Sequence, residues 1–547
     1  MNDSHIMKSL VKPEVDDFLE MEVQEFIMRP TLDLLFDMIF AVFLVSALAL
    51  ANGQNLEIND YETWLDYLGD GYRGIVVASD GTQSLLFSVM VGSRDIDVSA
   101  PSDLAFSSRF VLLPEGTMAV QGIVLSSDST GILYTYYLSL PDFQVIQSEQ
   151  EELLIGDTAR LYVAAGSEPE PAVYVTYDSI KEAIQSGTAL LTAFDGTACT
   201  DNHPELDGQG AVAANVDIRI VNEGTAEEYI AVVLSTVDML SETSAGPTWN
   251  EISIAPDGRV FLLTGSFDPN GGTAEVGQYL CNLGTSWAMR DIAGFPDGGR
   301  QITTLEGMTD QLLSGLPTAM VLDTTQCEVQ GDDDIIGAST YIQRRAISNW
   351  LWSAENPGGT GEAIQVNYFH FGGEEDPYVI HENIDIDVNN AYIHLSLIDL
   401  KTQTWNTTVL VCGLGTGAWM ESKTEGQRTQ LTSVEEVVEA AGSGYTTAIS
   451  VSLAACTDEN GDPGEDQILG SSAIYSYARG DAVYATNDFT MRLNPASFDG
   501  FAFASYRASL AEDGTLTLQR ALHDAGDWTL IAGDTLTCPF AAAVVWK

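Results

Sequence analysis

The sequence predicts a mainly β, α+β protein made of tandem repeats, each an antiparallel meander sheet or barrel of about six strands with one N-terminal helix. Three observations carry this. Six cysteines fall into three pairs, Cys199 and Cys281, Cys327 and Cys412, Cys456 and Cys538, separated by 82, 85 and 82 positions. Recurring long separations mean that a unit of roughly 128 residues has been copied along the chain. A short amphipathic run ending at Gly precedes the first cysteine of each pair, and a hairpin signal precedes the second.

At the amino terminus, residues 1–51 read as a signal-peptide region. Residues 28–51 are MRPTLDLLFDMIFAVFLVSALALA, an Arg followed by an apolar run that closes in small residues. Cleavage after Ala49 or Ala51 is expected. The mixed, acidic residues 1–27 are an unusual lead-in, so Met28 is an alternative true start. A retained signal anchor and a buried helix are the other readings of a run somewhat short of the ~20 residues a membrane span needs.

Four repeats follow, at 58–165, 174–292, 302–420 and 431–547. Their helices are marked by apolar residues on one helical face: Tyr177, Ile180 and Ile184; Leu305, Met308 and Leu312; Val434, Val437 and Ala441. Gly187, Gly315 and Gly444 stand where such helices stop. Hairpins are predicted at 252–263, 384–395 and 507–518, turning on Asp257-Gly258, Asn389-Asn390 and Asp513-Gly514, residue types that accept positive φ. CNLGTSWAM (281–289) and CGLGTGAWM (412–420) nearly repeat each other. The first repeat is degenerate. Tyr61, Trp64, Leu68 and Gly71 match its helix and 137–147 its hairpin, while Gln83 holds the first cysteine position and the second falls within Leu161–Ala165. Junctions are read at 166–172, 294–300 and 421–427.

The joint loss of both cysteines from the first repeat favours pairing within repeats: Cys199–Cys281, Cys327–Cys412 and Cys456–Cys538. Such bonds fit an exported protein, extracellular or, in a Gram-negative cell, periplasmic. Reduced core thiols are the alternative.

The pattern of a short helix ending at Gly, an apolar strand ending in Cys, a hairpin with an Asp-Gly type of turn, and a final strand with Cys then Gly resembles the VirK domain family. TYDSIKEAIQSG and FDGTAC within 176–199 and VGQYLCNLG (276–284) carry the resemblance, with DAVYATNDFTMRL and SLAEDGTLTLQRAL in the last repeat. It implies four tandem VirK-like units, the first degenerate, and small secreted relatives of one unit each. It implies no catalytic residues. Family members often have a His in the strand read here as YATNDFT, where this chain has Asp488.

Charge narrows the partners. Asp and Glu number 79 against 22 Lys and Arg, a net of -57. That surface repels phosphate backbones and anionic lipid, so nucleic acid and membrane surfaces are excluded as partners. Cations or an extracellular protein or matrix partner remain. The loop after Cys456 offers oxygen ligands at Asp458, Asn460, Asp462 and Asp466, a calcium-site expectation whose alternative is a solvated acidic loop. Pro463 and Leu469 depart from the EF-hand pattern. Of six histidines, His370, His381 and His394 fall in the third repeat, with His5, His203 and His523 elsewhere. They match no zinc spacing, and strand histidines are the plainer reading. Asn406-Thr407-Thr408 is a glycosylation sequon, of consequence in a eukaryotic source. No hydrolase, nucleotide or metalloprotease motif is present.

The expected function is therefore a secreted acidic multi-repeat binding protein with no assignable catalysis and no organic cofactor. One alternative is a pocket-containing enzyme or small-molecule carrier using the third repeat. Another is a structural matrix or coat component.

Overall fold

The structure, a computed structural model, describes residues 55–547 outside a set of loop segments, the longest being 94–104, 164–171, 202–209, 292–299, 331–340 and 494–500. The signal-like run, His5, Gln83, His203, Gly187 and Gly444 lie outside the described residues. The four stretches read above are termed the first to fourth segments.

Each segment opens with a nine-residue helix: α1 Tyr61–Gly69, α2 Tyr177–Gln185, α3 Leu305–Leu313 and α4 Val434–Gly442. Thr176, Thr304 and Ser433 cap α2, α3 and α4 by accepting a hydrogen bond from the backbone N–H three residues on. Asp60 does the same for Thr63 of α1 at 2.8 Å. The faces read from the sequence are the buried ones, Trp64, Ile180, Met308 and Val437 among them. Gly315 follows the cap of α3 with φ +69°, the left-handed stop expected of it.

Among the described residues the strands form four open antiparallel sheets of nine, nine, ten and ten strands. The third segment illustrates the path. Arg300–Ile302, Thr318–Asp323, Tyr341–Ala346 and the returning Ala418–Ser422 lie in one sheet, and Asn349–Ser353 with four long strands between 363 and 413 lie in another. Of the two forms expected, an antiparallel meander sheet or a barrel, the sheets are open and no closed barrel is formed among the described residues. Each segment instead splits its strands between two sheets, and each sheet takes its strands from two segments.

The sharing follows a cyclic rule. Gly210–Ala213 of the second segment pairs with Val91–Ser93 of the first. Tyr341–Ala346 of the third pairs with Asp217–Val221 of the second, and Gln467–Ser471 of the fourth with Asn349–Ser353 of the third. Ser84–Val89 of the first pairs with Ser476–Tyr477 of the fourth. The ends of the chain are thereby joined through a sheet. The strands Ala105–Leu112, Tyr229–Ser241, Ala363–Gly372 and Tyr484–Leu493 also touch in the same cyclic order.

A strand shared in this way is buried on both faces. In Gly74–Ser79, Val76 and Ala78 enter the core of the first segment, while Ile75 and Val77 enter that of the fourth. Trp350 and Leu351 likewise face the third and fourth cores. Glycines make room for rings across strands: Trp249 lies over Gly265 and Trp350 over Gly470, each pair directly in register.

Disulfides join Cys199 to Cys281, Cys327 to Cys412 and Cys456 to Cys538. They fit an oxidising, extracellular or periplasmic environment. Among the described residues no helix is long and apolar enough to cross a membrane.

Three sequence assignments shift. Gly258 and Gly514 take φ of +88° and +83°, but neither Asn389 nor Asn390 has positive φ. There the Asp387 carboxylate holds the turn, accepting from both backbone N–H groups at 2.8 Å. In the first segment the matching hairpin turns at Ser126–Ser129, between Thr117–Leu125 and Thr130–Ser139, not within 137–147. The tight turn after the second cysteine, bridged Leu283 to Trp287 and Leu414 to Ala418, recurs as Ile155 to Ala159. Leu153 therefore occupies the second cysteine position, rather than Leu161–Ala165, and its own side chain fills the core.

Candidate functional site

The sheet holding the long strands of the third segment has an apolar face of Ile364, Val366, Ile384, Ile393 and Leu395. Residues of the other parity form its second face. In register across it stand Gln365, Asp385 and Tyr392, then Asn383 and His394, then His381 and Ser396.

Asp385 is the centre of this polar face. Its carboxylate accepts from Gln365 Nε2 at 3.0 Å and from Asn383 Nδ2 at 2.9 Å. His394 Nε2 lies 3.4 Å from Asp385 Oδ2, diagonally across neighbouring strands. Burial raises the Asp385 pKa above the ordinary carboxyl range, and the His394 charge and the two amides only partly offset this. Asn383 is 3% exposed, and its Oδ1 has no hydrogen-bond partner. His381 is buried and sits 3.4 Å from Asn367 Oδ1. The backbone of His370 belongs to the adjacent strand, and its side chain lies outside the described residues. The structure thus brings one of the three histidines, His394, beside a carboxylate. Chemically the group can bind a ligand rich in hydrogen-bond donors, or exchange a proton between carboxyl and imidazole.

A second buried polar group lies where the second and third segments meet. Glu382, 1% exposed, accepts from Arg345 Nη1 at 3.3 Å, Gln343 Nε2 at 3.2 Å and Tyr341 O–H at 3.4 Å, and it forms an ion pair with Arg219 Nη2 of the second segment at 3.6 Å. Arg219 and Arg345 also stack on Tyr341 and Tyr368, at 4.8 and 4.3 Å from the ring centres. The buried carboxylate faces guanidinium groups from both segments, so this is a joint between them.

The loop after Cys456 is built around Asp458. Its carboxylate accepts from the backbone N–H groups of Asn460 and Asp462, at 2.9 and 2.8 Å, and from Asn460 Nδ2 at 3.1 Å. These bonds, that from Asp462 foremost, hold its pKa below the usual value. Asp458 therefore spends its oxygens on its own loop. Asp462 receives Asp458 N–H on its backbone oxygen, and Asp466 receives Ala354 N–H at 3.2 Å in the same way. Among the described residues no three His, Cys, Asp or Glu side chains gather as a metal set. Asn406 is exposed on Trp405–Gly413, accessible to a glycan.

The cross-strand Asp385–His394 pair and the Glu382 joint escaped sequence reasoning. Asp385 and His394 lie within the one hairpin predicted at 384–395, where strand register sets their diagonal contact, and the Glu382 joint draws on two segments.

No family model matches the chain, and no curated protein matches it. Among solved structures it is similar to the crystal structure of a VirK family protein from Legionella pneumophila, at 16% identity over 22% of this chain and 98% of that one, with a TM-score of 0.20.

Proposed function

We propose that the chain is a secreted, acidic binding protein of four tandem VirK-like units, in which the units exchange half-sheets around a ring. The observation that carries this reading is the cyclic pairing of four like segments, with the first closing on the fourth. A ring of like units displays like surfaces several times at fixed spacing, which raises avidity without any new contact. The net charge of -57 selects cations or a basic extracellular protein or matrix partner. Equilibrium dialysis against Ca²⁺ and pull-down at low and high salt test the reading. It predicts a partner or cation retained at low salt and weakened at high salt; neither retained under either condition removes it.

A second reading, a small-molecule carrier or enzyme working from the third unit, is favoured by the unsatisfied Asn383 oxygen beside Asp385 and His394. Soaking with neutral polyols and amines, followed by chemical-shift mapping of residues 365–394, tests it. Shifts absent there would remove it.

A further inference from the structure

The long strand next to each segment's return strand ends its sheet, and in three segments the chain beside the first cysteine covers part of it. Thr200–Asp201 pairs with Tyr279 and Leu280 of the second segment. Cys327–Gln330 pairs with Val409–Cys412 of the third. Thr457 exchanges two hydrogen bonds with Thr537 of the fourth, at 2.9 and 2.8 Å. The first segment lacks both cysteines, and its edge strand Val145–Leu154 is the last in its sheet, paired among the described residues only with Thr130–Ser139.

This edge is bare on both faces. Residues 146–152 are all exposed. One face carries Leu154, 53% exposed, and Ile132, 45% exposed, stands beside it in register with Glu152, while Ile146, 59% exposed, sits at the register shift between Val145 and Gln147. The other face carries Gln147, Glu149 and Glu151 and ends on the buried Leu153. Unpaired backbone groups along an open edge are a template for another strand. A second copy of this chain would set acidic strand against acidic strand, which the charge opposes.

We propose that Val145–Leu154 is a docking edge for an extended segment of a basic partner protein, added as a further strand to this sheet. The proposal rests on the binding reading above and names the partner class: a strand with aliphatic side chains on one face, toward Ile132 and Leu154, and Lys or Arg on the other, beside Glu149 and Glu151.

The test uses the full chain and a fluorescent ten-residue peptide alternating Lys and Val, read by anisotropy at ~0.3 M salt, where attraction between exposed charges is largely screened. A Glu/Val peptide is the control. The expected result is saturable binding of the Lys/Val peptide alone, slowed amide exchange confined to 145–154, and at least about tenfold weaker binding to the Glu149→Lys, Glu151→Lys double variant. Single prolines at Ser148 and Glu149 add a check independent of charge, because adjacent N–H groups of an edge strand point to opposite sides. One of the two should block the peptide and leave the melting temperature unchanged. Binding without protection at 145–154, or unchanged by all three variants, overturns the edge. So does no binding of the Lys/Val peptide. A partner recovered equally by wild type and edge variants would keep the general binding reading and remove this one.

Discussion

Arg160 donates from Nη2 to the backbone oxygen of Gly442, 2.9 Å away and 282 residues later in the chain. Tyr162 O–H reaches the same oxygen at 3.4 Å. Gly442 ends α4, so a cation meets the negative end of a helix from another segment. The contact closes the ring. Beside it, Ile75, Val77 and Tyr162 of the first segment complete the core of the fourth.

Because that core is shared, damage to the first segment should be felt in the fourth. Ile75 is 1% exposed, and truncating it to Ala should cost roughly 2–4 kcal/mol, as for other buried aliphatics. Hydrogen exchange should accelerate in Val434–Gly442 as well as in Gly74–Ser79. Acceleration confined to residues 55–163 would mean that the segments fold independently and the closure is incidental.

Trp546 repeats the Tyr162 arrangement one junction earlier. Its ring lies against Gly315, where an added Cβ would fall 2.4 Å from Cδ1, and Gly315 also needs φ +69°. Gly315→Ala therefore combines backbone strain of about 1 kcal/mol with displacement of the ring. Gly258 has φ +88° with open space around it, so Gly258→Ala measures strain alone. The Gly315 variant should be the more destabilised in urea unfolding, and Trp546→Ala should recover part of the excess. Equal losses at the two glycines would refute the close packing.

Much of this architecture was legible in the residues. The 3.6-residue spacing of Tyr177, Ile180 and Ile184 marked a helix face, and Asp257-Gly258 marked a hairpin, because both are local properties of the chain. The exchange of half-sheets was not legible, since strand pairing between segments leaves no local trace. It did leave an overlooked signal. GIVVAS (74–79) and TAMVLD (318–323) are apolar runs without alternation, as expected of strands covered on both faces. Three histidines in the third segment were visible, but only register could select His394 as the one beside Asp385. In the Asp458 loop the acidic spacing was legible, but the use of that carboxylate as a turn brace was not, because it depends on the folded path of the loop.

The joint between the second and third segments should be electrostatically demanding. Glu382→Gln removes the buried carboxylate that Arg219 and Arg345 both face. Losing one member of a fully buried pair costs about 3–5 kcal/mol; here the guanidinium groups keep 13% and 12% exposure, so roughly 2–4 kcal/mol is expected. A double-mutant cycle with Arg219→Ala should show coupling above ~0.5 kcal/mol. Additive losses would place the two groups in separate roles.

His523 should set part of the acid stability. It is 0% exposed, and neither ring nitrogen has a hydrogen-bond partner, so burial pushes its pKa below the ordinary value. A depressed histidine pKa means that the unfolded chain binds the proton more readily than the native one. Stability is therefore full above the unfolded value of about 6.5, and it falls as pH drops through that value toward the lower native pKa. Replacing the imidazole by an apolar ring of similar size, His523→Phe, removes the titration. The difference in unfolding free energy between variant and wild type should be constant above pH ~7 and shift in favour of the variant as pH drops below ~6.5. A pH-independent difference between ~7 and ~5 would show that the imidazole takes up its proton equally in both states, and that burial does not govern it.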